Sequence, residues 1–327
     1  MMSGFFQSVP FGITALVLVG SSWCLTGLVM GDAPKRGVLP ADVMRIGSVV
    51  SIILGLLIMA CTGMYPKAPL SAMILACSLY FLAGAVNSIM CDIMSLAMQQ
   101  GPNGIIWCII QSGTIGPFLT GILFFNIRVN TVRLLGFLLL LGALICFGFG
   151  KGNEEKNKSV KIGPLVIRGH ICGWKALAFI AFVLTAIVQS LVTIPSYFED
   201  CRRITPIFRS IVLAAGFMTG IIVWGWYRKV PHLLLVPKTL LRQKWLWIYT
   251  CGLQFFSLIF AYLCLYPGMD ILAKAGLGSM SYPIMVGSCI VAFTLSSVFL
   301  LREKIRLLQI LALAGCIGGL ICLCQTA

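Results

Sequence analysis

Apolar positions along this chain fall into ten long runs separated by short polar breaks. About 20 apolar residues in helix span the roughly 30 Å of a membrane's hydrocarbon. The pattern therefore predicts transmembrane helices over Phe11–Met30, Met44–Thr62, Leu70–Met98, Ile105–Phe125 and Val132–Gly150. Five more are predicted over Trp174–Phe198, Ile207–Tyr227, Trp245–Ala273, Ser281–Leu301 and Ile305–Cys324. The third and eighth spans are longer than a bilayer needs, which implies tilt or an end projecting into water. Gln99 to Gly104 is a turn by composition, and Pro66 and Pro69 bracket another. Residues 151–173 are the longest hydrophilic segment and read as a connector, too short to bury a core.

The breaks recur. Shifted by 176 positions, Ala97–Phe147 lies without a gap on Ala273–Leu323. Both stretches run through a polar, Gly-containing entry, an apolar span, a short basic junction and a second apolar span. Only 8 of 50 positions are identical across Ala97–Cys146 and Ala273–Cys322, so the shared order of elements carries the comparison. The two long spans are also equivalent in a five-plus-five arrangement. The expected architecture is an all-α integral membrane protein of two five-helix repeats, residues 1–150 and 174–327, joined by the connector. An odd number of spans per repeat inverts the second half relative to the first.

Composition narrows the class. Of the 327 residues, 59% are hydrophobic and 10% charged, with a mean hydropathy of +1.01, against about 25% charged in an ordinary soluble domain. The net charge of +15 does not point to nucleic acid, because the lysines and arginines sit in short loops between spans. Seventeen of the 24 belong to loops after odd-numbered spans and seven to loops after even-numbered ones. The positive-inside rule then places the first set in the cytoplasm and both termini outside. The expected location is the cell membrane, of the bacterial inner-membrane type, with several passes. The 14 cysteines show no metal-ligand spacing and read as free thiols. The N-terminal tail has no Lys or Arg, so no cleavable leader is expected. No Gly-rich phosphate loop with Lys-Ser or Lys-Thr occurs, which argues against ATP as the driving force.

Ten helices in two halves, the end of the ninth span (Ser296 to Leu301, then Arg302-Glu303-Lys304) and a Gly-rich last span (Gly315-Cys316-Ile317-Gly318-Gly319) together resemble the drug/metabolite transporter superfamily, in its EamA-like ten-helix form. The resemblance covers Gly12 to Cys324. Glu303 fits the family's acidic position, but its first-half counterpart is Ile127, a departure from the doubled pattern of common exporters. Gly20-Ser21-Ser22-Trp23, the Lys35-Arg36 loop, and Gly101 with Gly104 resemble the sugar-uptake branch, which includes the L-rhamnose–proton symporters. That branch's outward termini agree with the loop charges.

Asp92, late in the third span, is the sharpest candidate for chemistry. A carboxylate in hydrocarbon is costly and usually faces a cavity or a partner, so Asp92 is read as a proton-coupling group. The competing reading is a wet helix end. Asp270, after Tyr266-Pro267-Gly268, lies opposite Met94 in the repeat, two positions from Asp92's register, and is the second proton-coupling candidate beside an interfacial turn role. Asn87, Gln111 and Gln189 are uncharged amides that suit sugar hydroxyls or join helices. Trp23, with Tyr262 and Tyr80 as weaker companions, offers a ring face to a sugar or fills core. Trp226, Tyr227, Trp245 and Trp247 read as interface anchors, and Pro117 as a kink among Gly113, Gly116 and Gly121.

The function these readings predict is secondary active transport of a small polar metabolite, a sugar in preference, by alternating access with proton coupling. It needs no cofactor and no metal. Expected partners are the solute, protons, membrane lipids and, through the Leu- and Gly-rich fifth and tenth spans, a second copy; nucleic acid is not one. The alternatives are an EamA-type amino-acid, metabolite or drug exporter, a membrane-embedded lipid-linked sugar transferase, and a non-transporting receptor. The scattered acids and the loop positions of His170 and His232 argue against an enzyme.

Overall fold

The structure is a computed structural model that describes residues 8–26, 29, 33–38, 40–101, 103–150, 166–167, 170–171, 173–228, 242–299 and 307–324. Its helices are α1 (Val9–Ser22), α2 (Pro40–Thr62), α3 (Leu70–Gln100), α4 (Asn103–Gln111), α5 (Ile115–Phe125) and α6 (Thr131–Gly150), followed by α7 (Trp174–Thr193) and the short α8 (Glu199–Arg202). Then come α9 (Pro206–Tyr227), α10 (Lys244–Phe260), α11 (Tyr266–Lys274), α12 (Ser281–Phe299) and α13 (Leu307–Cys324). In the connector, β1 (Val166–Ile167) and β2 (His170–Ile171) pair antiparallel, a small departure from the all-helical expectation. Glu303, Asp32 and His232 lie outside the described residues.

Eight helical stretches are long and apolar enough to cross a membrane, and the chain is a multi-pass membrane protein in composition and shape. Two further apolar helices, Thr131–Cys146 and Ile310–Cys324, are shorter. The eight longer stretches fall within apolar runs of the sequence. The starts follow local rules. Ser8 caps α1 by accepting the Phe11 N–H at 3.4 Å, and Pro10 occupies the first turn. Pro206 opens α9.

The fourth and eighth predicted spans are not single helices. A 3₁₀ turn, Ser112–Thr114, separates α4 from α5, and a π turn, Ala261–Leu265, separates α10 from α11. Each break lies about one turn before a proline, Pro117 or Pro267, where the ring crowds the carbonyl four residues back. Periodicity alone does not show these breaks, because both flanks are equally apolar.

α12 is the central element: 76% of its span is buried, against 12% for Lys244–Lys274 and 28% for Leu70–Met98. It packs against α1 and α13. α3 packs against α7 and α9, α2 against α9 and α10, α1 also against α11, and α6 against α4 and α13. Leucines such as Leu135, Leu138 and Leu311 face outward, as a lipid-facing surface requires.

Small residues set the closest approaches. A Cβ on Gly84 of α3 would meet the Leu213 carbonyl at 2.0 Å, and one on Gly216 of α9 would meet the Phe81 carbonyl at 2.0 Å. The α3–α9 seam is therefore backbone against backbone, the packing available where lipid removes the hydrophobic drive between helices. The Gly-rich face of α13 is used the same way: Gly136 of α6 approaches the Gly319 carbonyl.

Candidate functional site

α9 carries an arginine at each end, about 28 Å apart along the axis, and each meets an aspartate from a different helix. At the start of α9, Arg209 is 1% exposed. Its guanidinium holds Asp270 of α11 through two bonds, Nη1 to Oδ1 at 3.0 Å and Nη2 to Oδ2 at 2.9 Å. Nε donates to the Ile204 carbonyl at 3.0 Å and Nη2 also donates to the Cys201 carbonyl at 3.1 Å. The ring of Tyr266 lies 5.4 Å from the guanidinium carbon. Tyr80 of α3 packs edge-on against that ring with centroids 5.6 Å apart.

At the other end of α9, Arg228 Nη1 donates to Asp92 Oδ2 at 2.6 Å, and Trp224 Nε1 donates to the same oxygen at 2.7 Å. Both charged side chains are nearly buried. Asp92 Oδ1 is buried with no hydrogen-bond partner among the described residues. The pair continues the α3–α9 seam, where Gly84 meets Leu213 and Ser88 lies against Gly220 one turn later. A third buried ion pair, Arg45 with Asp42, sits at the start of α2.

Both acids predicted to couple protons are thus members of interhelical ion pairs. The sequence reading missed their partners Arg209, Arg228 and Trp224. Arg209 carried a signal, since it interrupts an apolar run inside the first turn after Pro206; Arg228 carried none beyond standing at a span's end.

The predicted solute-binding residues lie on five different elements. Trp23 caps the end of α1 and lies 6.1 Å from the Tyr282 ring of α12. Asn87 is half-buried on the α3 seam. Gln111 ends α4 and is buried. Gln189 is buried on α7, its Oε1 without a partner among the described residues. The α4–α5 break packs on α7 where Gly113 meets Thr185, which leaves Gln111 and Gln189 about 8 Å apart along the axis. Tyr262 sits in the π turn and donates to Met64 Sδ at 2.8 Å, at the exposed edge of the bundle.

A second set of polar atoms includes Tyr80, a weaker candidate of the sequence reading, and three hydroxyls that reading did not name. Tyr80 OH, Thr114 Oγ1, Ser279 Oγ and Ser281 Oγ are buried without partners among the described residues. They belong to α3, the α4–α5 turn and the entry to α12. Buried donor–acceptors left without a partner are costly. The described cysteines are thiols, none of them in a disulfide, and the described residues contain no group of three metal-ligating side chains.

No family model and no curated protein matches the chain. A solved structure known only as "Crystal structure of protein" is similar in fold. Its TM-score is 0.57 at 14% sequence identity, over 94% of this chain and 97% of that one. At that identity the likeness concerns the fold alone.

Proposed function

We propose that the chain is a secondary transporter of the drug/metabolite type, built from two inverted five-helix repeats that exchange access to a small polar solute. The observation that carries the reading is an exchange symmetry in the packing. Replace each span by its counterpart five spans on, and every main helix contact maps onto another. α1 on α12 becomes α7 on α4 and α5; α3 on α7 becomes α11 on α1. α3 on α9 becomes α10 on α2, and α4 on α6 becomes α12 on α13; α2 on α9 and α6 on α13 map onto themselves. α2, the counterpart of α9, also holds a buried arginine near its start. Repeated halves with a solute site between them are a common transporter design.

The open hydroxyls and the Gln189 amide favour a sugar or another polyol over a lipophilic cation. Asp92 is the coupling group in this reading: a proton on it would release Arg228 and loosen one end of the α3–α9 seam. A thermal-shift panel of sugars, amino acids, nucleosides and lipophilic cations on the purified chain tests the solute class. Ligand at a hundredfold excess over its Kd adds about 2.7 kcal/mol of apparent stability. A saturable shift with deoxy-hexoses or pentoses supports the sugar reading, and shifts only with amino acids or lipophilic cations move the chain to the exporters. If no class shifts the transition and reconstituted vesicles take up none of them, transport is the wrong reading. Uptake by Asp92→Asn that is full and still collapses with a protonophore would remove Asp92 from coupling.

A further inference from the structure

We propose that the turn holding Tyr197 is a gate, sealed in this structure, at the end of the bundle where α5, α7 and the entry to α12 meet. The buried core is divided unequally along the bundle. Towards this end one hydrophobic cluster joins α1, α3, α5, α7, α11 and the entry to α12, through Leu16, Ala76, Phe118, Val192, Leu272 and Met280. Towards the end that holds Asp92, the core among the described residues falls into two separate clusters. One joins α3, α4 and α7 through Ile93, Ile106 and Leu177, and the other joins α2 and α10 through Ile46 and Leu246. The exposure of α12 follows the same division. Every residue from Ser281 to Ile290 is buried, whereas Val291, Ala292, Thr294 and Ser296 are half-buried and Leu295 is exposed.

Turns, not regular helix, make the seal. A 3₁₀ turn, Ile194–Tyr197, follows α7, and another, Gly278–Met280, leads into α12. The Tyr197 ring stacks on Phe125 at the end of α5 with centroids 3.9 Å apart, and Phe198 meets Phe125 edge-on. A Cβ on Gly278 would come within 2.6 Å of the Tyr197 ring. One on Gly121 of α5 would meet the Ser279 Cβ at 2.5 Å and the Tyr197 hydroxyl at 3.0 Å. Three elements therefore close on one ring. Arg202 of α8 donates to the Ser196 carbonyl at 2.9 Å and fixes the turn from behind. The Arg209–Asp270 pair holds α9 to α11 at the same end.

Polarity separates this seal from ordinary packing. Tyr197 OH, Ser196 Oγ and Ser279 Oγ are buried with no hydrogen-bond partner among the described residues. A hydroxyl buried without a partner costs free energy that water returns when it enters. The stacked rings hold the seal shut while its unmade hydrogen bonds favour opening, and a switching element needs such opposed terms. Under the transport reading, on which this gate rests, the two ends of the bundle open in turn. The structure is then the state closed at Tyr197 and parted at the Asp92 end.

The test is amide hydrogen exchange, read by mass spectrometry, on the full chain in nanodiscs. Gly121→Ala drives a wedge against Ser279 and Tyr197. Peptides over 194–203 and 275–282 should then exchange about tenfold faster or more. Peptides over 20–26 and 291–299, at the other end, should exchange more slowly, because a gate that opens one end closes the other. Tyr197→Phe removes an unmade hydrogen bond from the closed seal and should shift both ends the opposite way, by about fivefold. Reciprocal changes support the gate. Faster exchange at the Tyr197 end with no change at the Asp92 end means that the turn only packs, and overturns it. Should Gly121→Ala fail to fold, Tyr197→Phe decides alone: opposite shifts at the two ends support the gate, and exchange like the wild type overturns it. Exchange is read without solute, so a failed gate is distinguishable from a failed transport reading, which the solute panel and vesicle uptake decide.

Discussion

The two ends of α9 solve one problem in opposite ways. At its start, Arg209 is nearly inaccessible, makes four hydrogen bonds and holds both oxygens of Asp270. Arg228, at its end, meets one oxygen of Asp92, and the other oxygen is buried with no partner among the described residues. The helix dipole makes the difference larger. Its positive end disfavours a cation at Arg209, while its negative end favours one at Arg228. Arg209 therefore depends on Asp270 and the two carbonyls, whereas Arg228 keeps a favourable field if Asp92 is neutralised. The first end is a clasp that holds α9 to α11. The second is a latch that holds Asp92 by a single oxygen, and under the proposed transport reading this asymmetry favours Asp92 over Asp270 as the coupling group.

Breaking the clasp should be the most costly change. Asp270→Asn leaves a buried guanidinium uncompensated at the wrong end of a helix, and a loss of about 3–5 kcal/mol is expected. Denaturant unfolding in detergent would show it as a lower midpoint with a sharp drop in folded yield. The paired change Arg209→Met with Asp270→Leu should recover much of the loss, since a buried pair replaced by apolar groups is often neutral. If Asp270→Asn unfolds like the wild type, the clasp is not structural.

The seam that joins the two ends comes next. Gly216→Ala forces a Cβ to within 2.0 Å of the Phe81 carbonyl, and backbone cannot give way as a side chain can. A loss of about 1–3 kcal/mol is expected. The corresponding seam between α2 and α10 offers the control. There a Cβ on Gly47 meets the amide end of Gln254, which can swing aside. Gly47→Ala should therefore cost less than Gly216→Ala in the same assay. Equal losses would show that both seams are equally rigid and that the contrast in packing has no energetic weight.

Opening the latch should cost less again. Asp92→Asn retains an acceptor for the Trp224 N–H and leaves Arg228 at a favourable helix end, so about 1–2 kcal/mol is expected. The informative result is the ratio: Asp92→Asn must destabilise clearly less than Asp270→Asn. A larger loss at Asp92 would reverse the assignment of clasp and latch.

The contrast also marks what could be read in advance. Long apolar runs are properties of local composition, and the eight helices long and apolar enough to cross a membrane fall within them. Asp92 and Asp270 stood out because an acid among apolar residues is costly wherever it lies. Their partners did not, because a charge at the edge of a span is also what membrane orientation demands. Arg228 is 136 positions from Asp92, and Arg209 is 61 from Asp270. Only packing brings those residues together, and hydropathy carries no such distance. The buried serines at the entry to α12 were passed over because a hydroxyl can bond to its own helix and so gives no composition signal.

The smallest expected effect tests whether the open hydroxyls belong to the clasp or to a solute. Tyr80 is 1% exposed and packs edge-on against the ring that faces Arg209, yet its hydroxyl has no partner among the described residues. Tyr80→Phe removes an unmade hydrogen bond and little volume, so stability should stay within about 1 kcal/mol of the wild type, in the stabilising direction. If the hydroxyl instead serves a bound polyol, the same variant should keep its fold and lose ligand-induced stabilisation in the sugar panel. Unchanged stability with an unchanged ligand response assigns Tyr80 to packing alone, and the solute contacts would then fall to Thr114, Gln189 and the two serines. A marked loss of stability would mean that the hydroxyl is satisfied in the folded protein and that the neighbourhood of Arg209 is one polar network.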